Sequence, residues 1–334
     1  MAQLRLLAQI AVTILLSVAT SSPTEAAQNA GSPPAVSTHV EFPDFEWVRQ
    51  RYQQDAPSRA AWAHLLAEAR AVAQQRTRAA IQATKRHGVT LQPPSYERCY
   101  GDDRCDWILQ TERVAQRFDT WQAFSQAWTE ARPVVTAVSL MAAQAEDSVR
   151  SALPGSGFEK ELHVRFTRDQ LLRRAYSDQS IPLSEEGRQL FLLVVSRLIA
   201  RADHDNTAWL RQSLAASEWP RSGQLRSESE MAAWFMLVHA RDDPAFQLQV
   251  LDRMAEVVEK GELGRAQHAT RVDHILLEVT GLQRYGTQGA CEGKRFLPRP
   301  TEAPDKVPEL RRQMGLPTLQ EQEQLMSPAC TESP

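Results

Sequence analysis

The stretch "PSRAAWAHLLAEARAVAQQRTRAAIQATKRHG", residues 57–88, has few ways to fold other than as a long helix. Its Trp62, Leu65, Leu66, Ala69 and Val72 recur at the spacing that puts side chains on one helical face. Pro57 suits a first turn, where a missing N–H costs nothing, and Gly88 suits a stop. The rest of the chain repeats the theme. Ala, Leu, Gln, Arg and Glu dominate, all strong helix formers, against only 14 glycines. No segment alternates well enough to predict a strand. The expected fold is all-α: two packed helical blocks and an irregular, Pro-rich C-terminal segment.

The first block covers residues 44–153. After the helix above comes a proline-containing loop that holds Cys99 and Cys105. A second helix is predicted over 107–132, with Trp107, Val114, Phe118, Trp121, Phe124 and Trp128 as an aromatic stripe suited to a core. Pro133 is read as the start of a third, ending at "LPGSGF". "PGSG" marks the boundary with the second block, 158–330. There "EKELHVRFTRDQLLRRAYS" and the long run from Ser184 to Ser217 read as helices. "SESEMAAWFMLVHA" opens on Ser227-x-x-Glu230, a capping-box pattern, and its Met231–Val238 is apolar on all sides, so it is buried. Asp243 and Pro244 start the next helix, and a further one runs over 263–280 until Gly281 stops it. Beyond Gln288 only "VPELRRQMG" reads as helical.

Hydrophobic residues make up 42% of the chain, enough for a real core. The net charge of −3 provides no basic field, so nucleic acid is not an expected partner. At the N-terminus, a short positive segment, Met1–Arg5, precedes the apolar run Leu6–Ala19. That run falls short of the ~20 residues a spanning helix needs. Ser17-Val18-Ala19 and Thr24-Glu25-Ala26 both fit a cleavage site. Residues 1–26 are therefore expected to be a secretory signal peptide and 27–43, with Pro33, Pro34 and Pro43, an extended linker. The mature protein is expected to be periplasmic or secreted, with no transmembrane segment after signal removal. An oxidising compartment permits disulfides, and locality favours Cys99–Cys105 and Cys291–Cys330 among the three pairings.

A few polar residues interrupt apolar surroundings. His239 closes the buried helix, beside Arg241-Asp242-Asp243. On the 263–280 helix, Ala269, Val272, Leu276 and Val279 form the buried stripe, His268 sits at its edge, Asp273 borders the other side, and His274 is expected to face solvent. His163, His204-Asp205 and Asp273 follow the ligand order of an all-α metal-dependent phosphohydrolase. Any helical chain with 8 histidines and many aspartates provides such an order, so no metal or other cofactor is expected. Gly-x-Ser-x-Gly, His-Glu-x-x-His and phosphate-cradling glycine loops are absent from the sequence. "GLQRYGTQGAC", residues 281–291, places Tyr285, Thr287 and Gln288 directly after a helix stop.

The second block resembles a family of bacterial proteins, many of them exported, known only as a domain of unknown function. The matching residues are Asp169-Gln170 with Arg173; Asp205, Asn206, Trp219 and Pro220; Trp234, His239, Ala240, Phe246 and Gln247; and Asp273, Gln283 and Tyr285-Gly286-Thr287-Gln288. They span about 159–320. Val238 stands where the family commonly has Gln, and His274 where it commonly has Arg. The resemblance implies no activity, but it points to Asp169, Gln170, Arg173, Gln247, Tyr285, Thr287 and Gln288 as ligand-binding residues. The expected function is that of an exported envelope protein that binds a ligand or a protein partner. The alternative is an envelope hydrolase of unfamiliar type, with His239 as acid or base and Asp205 or Asp273 orienting it.

Overall fold

The computed structural model describes residues 45–330 apart from 156, 216–218, 220–224 and 226. The expected signal peptide and linker lie outside these residues, as does Pro220. The described residues belong to one compact unit, which spans both predicted blocks.

The fold is all-α. After a 3-10 turn, Glu46–Val48, come α1 (Arg49–Tyr52), α2 (Ala56–Lys85), α3 (Asp103–Ala115), α4 (Trp121–Ala152), α5 (Phe158–Ser177), α6 (Glu185–Ala215), α7 (Ser227–His239), α8 (Pro244–Glu259) and α9 (Arg265–Thr280). A hairpin, β1 (Gly289–Glu292) and β2 (Arg295–Pro298), precedes α10 (Val307–Gln313) and α11 (Leu319–Met326). The starts are set by side-chain caps that satisfy orphan N–H groups. Asp55 accepts from Ser58 N at 2.9 Å, Asp102 from Cys105 N at 2.9 Å, Thr120 from Ala123 N at 3.2 Å and Asp243 from Phe246 N at 3.0 Å. Gly281 ends α9 at φ 75°, a left-handed conformation in which a Cβ would be strained.

Helices α4, α5 and α6 pack along one another, so the "PGSG" turn joins two neighbours within one layer. Helix α7 lies on α5 and α6, while α8 packs on α9 and on α2. Helix α7 is central on one side, where Ala232, Ala233, Met236 and Leu237 are fully buried. The expected all-round burial of Met231–Val238 is corrected: Met231 is exposed, and Trp234 and Phe235 are partly buried. Burying side chains such as Met and Leu stabilises the fold by roughly 1.5–3 kcal/mol each. The aromatic stripe is core as well. Phe45 packs on Trp107, Phe124 and Trp128, with ring centroids 5.4, 5.3 and 5.1 Å apart.

Three further local expectations are corrected. The chain breaks at residues 116–120, where Thr120 caps α4, and α4 then runs unbroken through Pro133 to Ala152. A proline inside a helix removes one hydrogen bond, and packing against α5 and α6 compensates. Within the Pro-rich tail, Gly289–Glu292 pairs antiparallel with Arg295–Pro298, Ala290 opposite Leu297 and Cys291 opposite Phe296. The tail also carries a second helix, α11, opened by a Thr318/Glu321 capping box. Both expected disulfides, Cys99–Cys105 and Cys291–Cys330, are present.

Candidate functional site

The polar residues singled out in the sequence fall into separate assemblies. The first is a knot around the Tyr285–Gln288 loop. Asp273, fully buried on α9, accepts from the backbone N–H of Arg284 (2.7 Å), Tyr285 (2.8 Å) and Thr287 (2.7 Å), and from the Thr287 hydroxyl (2.8 Å). The Gln283 amide is fully buried too. It donates to the carbonyls of Gln288 and Arg299 at 2.8 and 2.7 Å and accepts from Gln288 N at 2.8 Å. From α10, buried Arg311 donates to Tyr285 O (2.8 Å), Pro317 O (2.6 Å) and Gln322 Oε1 (2.7 Å). Gly286 adopts φ 74°, and a Cβ there would come within 2.9 Å of Leu319 Cδ2. The polar groups of this loop are thus directed inward, toward the protein's own backbone. His274, expected in solvent, is half-buried edge-on to Trp234, with ring centroids 6.0 Å apart, and burial lowers its pKa.

The second assembly is a charged cluster where α5, α6 and the end of α7 meet. His239 Nδ1 lies 3.1 Å from Asp169 Oδ1. Its orienting carboxylate is therefore Asp169; Asp273 is committed to the loop and Asp205 lines a cleft described below. Gln170 Nε2 donates to Asp169 Oδ2 at 2.7 Å, and Arg173 bridges Asp169, at 3.0 Å, and Asp203. Burial pushes the Asp203 carboxyl up to about 7, with Arg173 opposing and the nearby Asp169 charge adding to the shift. Burial also works to raise Asp169, but His239 and Arg173 together hold it below the usual carboxylate range. The His239 imidazole is lowered by burial, against the pull of Asp169. Asp169, Asp203 and His239 bring potential metal-ligating atoms within 4.8 Å of one another, and Arg173 already supplies a positive charge there. The phosphohydrolase-like set does not assemble: His163 faces Ser229 at 2.9 Å, and Asp273 belongs to the loop. Gln247 has a third role, donating to the Leu237 and Val238 carbonyls at 2.9 and 3.1 Å and so closing the C-terminus of α7.

The third assembly is a cleft of about 270 Å³ lined by α3 and α6, together with Gly101 of the disulfide loop and Asp242 of the α7–α8 turn. Trp107 forms one wall, with the Arg197 guanidinium 4.3 Å from its ring centroid. Asp103 receives Arg197 at 3.0 Å and Arg201 at 3.1 Å. Burial raises the Asp103 pKa, but the two guanidiniums outweigh it and hold the carboxyl low. Asp242 pairs with Arg98 at 3.0 Å. Among the described residues Asp106 forms no such ion pair, although the charges of Arg98 and Arg113 act on it; it accepts from Cys99 N, at 3.3 Å. Burial, reinforced by the charge of Asp242, pushes it up to about 6. The Asp205 carboxylate also lines the cleft and has no partner among the described residues.

Of the candidate site residues read from the sequence, His204 and Asp205 reach this cleft. Asp103, Asp106, Arg197 and Arg201 were not anticipated. Two signals for them do exist: the acid-rich "GDDRCDW" around a cysteine, and Arg197, Arg201 and Asp205 at successive helical turns of α6. Comparison of the chain with family models, curated proteins and solved structures gave no match.

Proposed function

We propose that this is an exported cell-envelope protein that binds a small polar ligand in the cleft between α3 and α6. One observation carries the reading: three separate parts of the chain converge on one cavity, and among the described residues two of its carboxylates, Asp106 and Asp205, form no ion pair. Concave sites with a few convergent polar groups are the usual form of a ligand site. The N-terminal apolar run and the two disulfides support export. Among the described residues no helix is long and apolar enough to cross a membrane. The hydrolase alternative receives less support. His239 is paired with Asp169, its side chain is only 13% exposed, and it does not line the cleft.

The test uses thermal shift with small-molecule fractions of an envelope extract, on the wild-type protein and on Ala200→Trp. Ala200 lines the cleft, and an indole there fills it. Binding by the wild type that disappears in a folded Ala200→Trp protein supports the reading. Binding that survives the substitution overturns it.

A further inference from the structure

We draw no further inference here: the strongest candidate, the side-chain cluster of Asp169, Asp203 and His239 where α5, α6 and the end of α7 meet, carries nothing, because Arg173 already joins its two carboxylates and no second feature among the described residues points to a metal ion or other ligand there.

Discussion

One carboxylate oxygen of Asp273 accepts both the backbone N–H and the hydroxyl of Thr287, at 2.7 and 2.8 Å, while the other oxygen takes two more backbone N–H groups. Asp273→Ala leaves three backbone donors without this acceptor. The expected cost is about 4 kcal/mol, at 1–3 kcal/mol for each buried unmet donor with partial relief from water. Urea unfolding measures it. A loss under about 1 kcal/mol would show that the knot does not depend on this side chain.

Arg311 holds the same loop from the opposite side through three acceptors in three directions. A lysine reaches only part of this set, since it lacks the planar fork. Arg311→Lys is expected to cost about 2 kcal/mol. The accompanying sign is faster amide exchange at Gly286 and Thr287, whose carbonyls receive Gln322 from α11.

Asp203 gives stability a pH dependence of unusual sign for a carboxylate. Its folded pKa, about 7, lies above the ordinary value of 3.8. The folded state therefore holds a proton that the unfolded state has released, and this contribution is full below about pH 4 and is lost as pH rises through 7. Asp106, raised to about 6, acts in the same sense over a narrower window. His239 opposes them. Its folded pKa is below 6.5, so its contribution is present above 6.5 and is lost as pH falls through the folded value. Asp203→Asn is expected to flatten the decline in stability between pH 5 and 8. Denaturation midpoints for both proteins across that range decide the matter, and parallel curves would rule Asp203 out as the source.

The two disulfides close loops of different size, with sequence separations of 6 and 39 residues. On chain-entropy grounds the shorter is worth roughly 2 kcal/mol and the longer roughly 4 kcal/mol. Cys330→Ser is therefore expected to destabilise more than Cys99→Ser. Hydrogen exchange is expected to rise first in β1, β2 and α11, the elements that the longer bridge fastens. Equal losses in the two variants would contradict the loop-length argument.

Helical periodicity was enough to read most of this fold, because α2, α7 and α8 bury contiguous apolar faces. It misplaced the break near Pro133 because a proline is a loud local signal and a single capping threonine, Thr120, is a quiet one. The hairpin was missed because each strand has only four residues, too few to show alternation. The site was far less legible. Asp169 was flagged, but its contact with His239 spans 70 residues of chain, and that of Arg197 with Asp103 spans 94. With 38 basic and 41 acidic residues to choose among, local sequence does not say which meet.

Tyr100 is the one described non-glycine residue with a positive φ, 41°. It stands between Cys99 and Gly101, inside the small ring, with the Arg98 guanidinium 5.2 Å from its ring centroid. A left-handed backbone at a tyrosine persists only where its surroundings over-determine it. Here the covalent ring helps to do so, and the next residue, Gly101, is part of the cleft wall. A chain whose two thiols have not yet joined is free to relax that turn. The cleft would then be a product of oxidation, completed only once the protein has reached a compartment where the bond can form.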